Sequence, residues 1–193
     1  MSVTVAMPML ARAVASEGAY FRRKQEIVAA LVARFRDVPF QLGFRLNNLD
    51  SAGAGANGVY LSLTGTSAED ADSGQVGRGN GANGLIAFSR PTGGEATAGK
   101  NAVAHAGKIY SVLSHRLAGL VHARHPELPQ VSVHLAVRIG EPVDRPWTGV
   151  QVVLADGMRL EDVNKRIRDV VETELARLPT FRAELIRGEY PVC

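Results

Sequence analysis

Apolar residues recur along this chain with two different periods, and the period predicts the element. Between Ser16 and Arg36 they recur every three or four residues, after a Ser-Glu start and before Pro39. This pattern predicts a helix. The same helical spacing recurs between Val103 and Leu120, and a charged amphipathic pattern between Leu160 and Leu178. The sequence therefore predicts three helices of substantial length.

Other segments alternate apolar residues with small or polar ones, as strands with one buried face do. Strands are predicted at residues 2–8, 40–46, 59–63, 131–139 and 150–154. The turn-rich stretch "NNLDSAGAGANG" separates the strand at 40–46 from that at 59–63. We therefore predict that these two strands form a hairpin-like pair.

The order strand, helix, strand, strand appears twice in this interpretation, although the residues themselves do not repeat. It predicts an α+β fold of repeated β-α-β-β units, with helices packed on mixed or antiparallel sheets. The expected organisation is a first β-α-β-β unit at 1–66, a glycine-rich segment at 67–108 and a second α-β-β-α unit at 109–193. We expect the units to interleave in one compact body.

Composition narrows the function classes. The 193 residues carry a net charge of only +3, with Lys and Arg scattered and not interleaved with aromatic residues, so nucleic acid is not the expected partner. Cys193 is the single cysteine, which excludes an intramolecular disulfide. The start of the chain does not resemble a signal peptide, and no apolar run approaches the roughly 20 residues of a membrane span. We expect a cytoplasmic protein with no membrane partner.

One interpretation of the glycine-rich segment is a phosphate-binding loop. Gly94, Gly99 and Lys100 have the spacing of such a loop, the predicted strand 84–88 precedes it, and Asp156 would be the magnesium carboxylate. Asn101, however, stands where this motif needs Ser or Thr. A nucleotide-hydrolysing protein of this class remains an alternative.

A different interpretation uses the whole block from Gly65 to Tyr110. It resembles archaeal-type methionine adenosyltransferase, also called S-adenosylmethionine synthetase. The matching stretches are "GTSAE", "VGRGN", "NGLI", "RP", "EA", "GKN", the His of "HAGKIY" and its "GKIY", followed further on by "RIGEPVDRP". The resemblance reaches the C-terminus, but it covers only the C-terminal half of the family's protein. The chain contains no His-Pro-Asp (HPD) motif, which the family has in its N-terminal half.

The resemblance implies a site that binds the triphosphate chain of ATP. Arg78, flanked by glycines, would offer a planar fork to two phosphate oxygens. Lys100 and Lys108 would supply further positive charge near the start of the second helix. Asp72, six residues before Arg78, has the spacing of the family's active-site carboxylate and is a candidate metal ligand.

Asn80, Asn101, His105 and Arg90 match the family's motifs and are candidate contacts to substrate. The family's own pattern has Asn after Gly-Lys, so Asn101 need not be a damaged magnesium ligand. The chain also departs from the family. The positions that differ are Gly81, Ala82, Ala102 and Ala104, where archaeal members usually have Arg, Val, Pro and Asn.

The resemblance implies the C-terminal-half subunit of a split methionine adenosyltransferase, which forms S-adenosylmethionine from ATP and methionine with Mg²⁺ and K⁺ as cofactors. Triphosphate would be released and hydrolysed. The expected partner is an N-terminal-half subunit with the HPD motif, in a hetero-oligomer; a homodimer of halves is also open. The alternative is a non-catalytic regulatory or nucleotide-binding subunit of a synthetase.

Overall fold

The computed structural model describes residues 1–65, 81–91, 93–103 and 105–192. The candidate site residues Asp72, Arg78 and Asn80 lie outside these ranges. The described residues belong to two compact units. The first comprises residues 1–65 and 138–141, and the second comprises residues 81–91, 93–103, 105–137 and 142–192.

The first unit contains one long helix and four short strands. In chain order these are β1 (Ser2–Val5), β2 (Met9–Leu10), α1 (Glu17–Arg34), β3 (Gly43–Leu46) and β4 (Leu61–Ser62). The predicted helix is confirmed, and it begins where the sequence indicated, because the Ser16 hydroxyl accepts a hydrogen bond of 3.2 Å from the Ala19 amide.

The predicted pairing of the strands was wrong. β3 does not pair with β4; it runs parallel to β1, and β4 runs parallel to β2. Alternation of apolar residues shows which face of a strand is buried, but not which strand lies beside it. β3 and β4 therefore pair with β1 and β2 at the start of the chain and not with each other.

A buried tyrosine links the parts of the first unit. The Tyr20 ring is fully buried, and its hydroxyl donates a 2.8 Å hydrogen bond to Asp50 Oδ2. The same hydroxyl accepts hydrogen bonds from the Asn47 side-chain amide at 2.8 Å and from the Tyr60 backbone amide at 3.2 Å. Lys24 adds an ion pair to Asp50 at 2.7 Å. Burial raises the pKa of Tyr20, so the hydroxyl stays neutral and remains a donor.

The second unit contains three helices and an antiparallel pair of strands. In chain order these are α2 (Ala106–Arg124), β5 (Gln130–Ala136), β6 (Trp147–Val153), α3 (Leu160–Ala176) and α4 (Leu178–Ile186). The pattern in the sequence predicted α2, β5 and β6 correctly, and their ends differ by a few residues. The predicted helix at 160–178 ends earlier, and α4 was not predicted.

The core of the second unit is built around α2. Its buried residues are Ile109, Tyr110, Val112, Leu113, Leu117 and Val121, which share one side of the helix. This side packs against β5 and α3. The helix ends at Arg124, since Pro126 disfavours helical dihedrals in the residue before it, His125.

A separate helix follows α3 because Arg177 leaves the α3 spiral and Pro179 occupies the first turn of α4. Proline is favoured at that position, where its missing N–H is not needed. Charged side chains connect the helices. Arg116 of α2 lies 2.9 Å from Glu174 of α3, and Arg177 pairs with both Glu174, at 3.2 Å, and Glu184 of α4, at 3.1 Å.

The predicted α+β class is confirmed, with small parallel sheets in one unit and a small antiparallel sheet in the other. The second strand-helix-strand-strand repeat was expected to begin with a strand before α2. Among the described residues no strand lies between β4 and α2. None of the helices described combines the length and the apolar character that crossing a bilayer requires.

We predict that Tyr20→Phe lowers the free energy of unfolding by about 1–3 kcal/mol, because it removes one hydroxyl from several buried polar partners. Urea denaturation followed by circular dichroism measures this change. A loss below about 0.5 kcal/mol, typical of surface substitutions, would contradict the role given to this hydroxyl.

The second unit should lose stability in acid through Glu184. A hydrogen bond from the Tyr190 hydroxyl, assisted by the charges of Arg177, Arg116 and Arg187, lowers the pKa of this carboxyl. Its stabilisation is fully present above the unfolded-state pKa of about 4.3 and is lost as the pH falls through the lower folded-state value. Glu184→Gln and Tyr190→Phe should both flatten the acid limb of melting temperature against pH. An unchanged limb in both variants would refute this assignment.

Candidate functional site

The segment before α2 forms a turn that is held by hydrogen bonds to Asn101. Gly99 has a φ of +77°, a conformation that glycine adopts readily and most residues avoid. The Asn101 side-chain oxygen accepts a 2.7 Å hydrogen bond from the Val103 amide, and its carbonyl accepts one of 3.1 Å from the His105 amide. Asn101 therefore organises the turn that leads into the helix.

His105 begins α2. Its Nδ1 accepts a hydrogen bond of 3.1 Å from the Gly107 amide, one of the backbone donors that the first helical turn leaves without a helical partner. Lys108, in the same turn, donates from Nζ to the Lys100 carbonyl at 2.9 Å. The Lys108 ammonium thus attaches the segment to the start of the helix.

Lys100 faces a carboxylate of its own chain. Its Nζ lies 3.3 Å from Glu95 Oε1 in an ion pair. Gly107 makes this arrangement possible, because a Cβ at that position would lie 2.6 Å from the same Glu95 oxygen. The absence of a side chain at Gly107 therefore leaves room for the carboxylate beside the first turn of α2.

A cavity of about 670 Å³ lies in the second unit, between α2 and β5. Small residues of α2 one turn apart line it, namely Gly107, Ser111, Ser114 and Ala118. Arg90 and Glu95 lie on its wall. Because Glu95 and Gly107 belong both to this wall and to the cluster at the start of α2, the cavity and the cluster adjoin.

Tyr110 contributes a fixed polar group to the cavity wall. Its hydroxyl donates a 2.8 Å hydrogen bond to the Val143 carbonyl. Burial, with a smaller contribution from the charge of Asp144, raises the pKa of Tyr110. The hydroxyl therefore stays protonated and does not act as a base at neutral pH.

The structure brings four of the predicted site residues together. Lys100, Asn101, His105 and Lys108 form the cluster at the start of α2, and Arg90 lies on the adjoining cavity wall. Asp72, Arg78 and Asn80 remain sequence predictions. Sequence reasoning matched Glu95 to the family but gave it no role, since nothing in its spacing shows that it reaches Lys100.

The described residues contain no group of side chains that could bind Mg²⁺. In that part of the chain no three His, Cys, Asp or Glu side chains converge as metal ligands would. The predicted ligand Asp72 lies outside it. The described residues therefore do not by themselves fit a metal site, and no chemical step is assigned to a metal.

Comparison with known proteins identifies the family. The model of the S-adenosylmethionine synthetase (AdoMet synthetase) family matches residues 1–189. The chain belongs to this family. It is 35% identical to the S-adenosylmethionine synthase of Methanobrevibacter smithii over 192 residues, which are 97% of this chain and 48% of that protein. The enzyme of Methanothrix thermoacetophila is 36% identical over 97% of this chain and 47% of its own length.

A third relative, the S-adenosylmethionine synthase of Natronomonas pharaonis, is 36% identical over 97% of this chain and 47% of its own length. The chain thus spans about half the length of the curated relatives it matches. The predicted membership of the archaeal-type S-adenosylmethionine synthetase family is confirmed. All three relatives carry the name S-adenosylmethionine synthase.

The phosphate-loop alternative was wrong, because the strand that such a loop requires is absent from the described residues before it. Residues 84–88 do not form the strand that should precede such a loop. Asp156 lies in a turn beyond the end of β6.

The cap at His105 should contribute measurably to stability. We predict that His105→Ala lowers the free energy of unfolding by about 1 kcal/mol, because the Gly107 amide loses its acceptor. His115→Ala is the matched control, since His115 lies on the same helix and is exposed. It should change stability by less than about 0.5 kcal/mol. Equal effects in a urea denaturation series would contradict the capping role.

Proposed function

We propose that this chain is the C-terminal-half subunit of a split methionine adenosyltransferase, which forms S-adenosylmethionine from ATP and methionine together with a partner. One observation carries the proposal. The family model matches residues 1–189, yet the chain spans only 47–48% of the three relatives compared. The chain therefore matches the family over nearly its whole length and spans about half the length of these relatives.

The proposed reaction joins the methionine sulfur to the 5′ carbon of ATP and expels the triphosphate chain. Negative charge accumulates on the leaving phosphate oxygens, and cations placed beside them lower the barrier. Lys100 and Arg78 are proposed to bind this polyanion, with Lys108 holding the segment of Lys100 in place. Asn80, Asn101, His105 and Arg90 are proposed substrate contacts, and Asp72 is the proposed active-site carboxylate.

The architecture is proposed to be that of the family's repeated β-α-β-β units. Mg²⁺ and K⁺ are expectations carried over from the family, with Asp72 as the one candidate ligand.

The proposed partner is a polypeptide that carries the HPD half of the family's protein. Catalysis by groups held in one geometry fails when half of them are missing, so neither half should turn over alone. The apolar residues Leu85, Ile86 and Phe88 are exposed, and Phe88 is fully exposed at 100%. An exposed apolar patch of this kind supports the proposal that a partner polypeptide covers this surface.

The central experiment mixes the purified chain with an HPD-bearing half and measures S-adenosylmethionine by mass spectrometry, with ATP, methionine, Mg²⁺ and K⁺ present. We expect turnover by the pair and at least a hundredfold less by either half. Arg78→Ala should lower kcat of the pair by about 100- to 1000-fold, the usual cost of losing one donor to the developing charge, while size-exclusion chromatography shows intact assembly.

No product from the pair, or full turnover by the chain alone, would refute the split enzyme. A second candidate function is a non-catalytic regulatory subunit. The departures from the family at Gly81, Ala102 and Ala104 favour it, because side chains would be lost beside the proposed polyanion site. Unchanged turnover of the assembled pair after Arg78→Ala would support this second candidate.

A further inference from the structure

The two side chains of the ion pair between Lys100 and Glu95 differ in their exposure to solvent. The Lys100 side chain is 19% exposed, whereas the Glu95 side chain is 48% exposed. Solvent therefore reaches the carboxylate more readily than the ammonium. An anion that approaches Lys100 from solvent meets Glu95 beside it.

The carboxylate and a phosphate group compete for the same donor. The Lys100 ammonium has three N–H donors around one compact charge, and a carboxylate and a phosphate oxygen satisfy them in the same way. Two anions at this distance also repel each other. Binding of a polyphosphate at Lys100 therefore favours a Glu95 side chain that has moved away.

We propose that Glu95 restrains the Lys100 site as a competitor built into the chain, which the polyphosphate of the substrate must displace. The inference rests on the proposed function, in which Lys100 binds the triphosphate chain. Glu95 would act as a regulatory contact: it neutralises Lys100 while the site is empty and swings out when a stronger polyanion arrives.

The strength of the contact suits such an exchange. Partly exposed ion pairs are weak, and their loss changes an equilibrium by about fivefold at most. A triphosphate carries several negative charges and outcompetes a single carboxylate. Gly107 leaves room for Glu95 Oε1 in the resting arrangement, because a Cβ there would lie 2.6 Å from this oxygen.

The test is calorimetric titration of the full chain with inorganic tripolyphosphate. Glu95→Gln keeps the shape of the side chain and removes its charge, so it should tighten binding by about three- to fivefold. Glu189→Gln is the matched control. This side chain is 49% exposed and also forms an ion pair, with Arg187, so the variant makes the same change in net charge at the same exposure. The control should stay within about twofold of the unmodified chain.

Equal or weaker binding by Glu95→Gln would overturn the inference, as would tightening of the same size in Glu189→Gln. Absence of binding in both the unmodified chain and Glu95→Gln would overturn it too. Circular dichroism checks that each variant is folded, and Glu95→Ala replaces the glutamine variant if that one is not.

Lys100→Ala separates this inference from the proposed function. If it abolishes tripolyphosphate binding while Glu95→Gln does not tighten binding, Lys100 keeps its proposed role and only the restraint by Glu95 is refuted. If Lys100→Ala leaves binding unchanged, the proposed role of Lys100 fails, and the inference fails with it.

Discussion

The packing of α2 against β5 is the constraint on which the candidate site depends. Burial of one side of α2, from Ile109 to Val121, fixes the axis of the helix and hence the place where it begins. Buried aliphatic side chains contribute roughly 1.5–3 kcal/mol each, so this position is strongly enforced. The short segment before α2 then needs only local hydrogen bonds, from Asn101, His105 and Lys108, to take up one arrangement.

The two lysines at this helix start have different tasks in the structure. Lys108 donates to a backbone carbonyl and so supports the segment, whereas Lys100 pairs with a partly exposed carboxylate. Only the second arrangement can be exchanged for a ligand at small cost, because its partner can return to solvent. The arginine and glutamate network around Glu174 meanwhile links α2 to α3 and α4 and keeps the helix in place.

The sequence predicted those features that arise from neighbouring residues. Periodicity placed α1 and α2, and the Ser-Glu start marked the first residue of α1. The family resemblance selected Lys100, Asn101, His105 and Lys108, which lie close together because they surround one helix start. The pairing of strands that are distant in sequence could not be predicted in this way. The parallel pairing of β1 with β3 depends on which surfaces meet after collapse, and strand periodicity does not contain that information. The predicted helix at 160–178 stopped just before Pro179, and the sequence pattern indicated no further helix after it. The approach of Glu95 to Lys100 depends on the turn at Gly99 and the missing side chain of Gly107, which spacing alone does not reveal.

The proposed role of the start of α2 is to bind the triphosphate chain of ATP. A crystal structure of the assembled pair with a non-hydrolysable ATP analogue tests it most directly. The account predicts a phosphate oxygen within hydrogen-bonding distance of the Lys100 ammonium and the Glu95 carboxylate turned away from it. A triphosphate bound elsewhere, with the pair between Lys100 and Glu95 intact, would contradict the account.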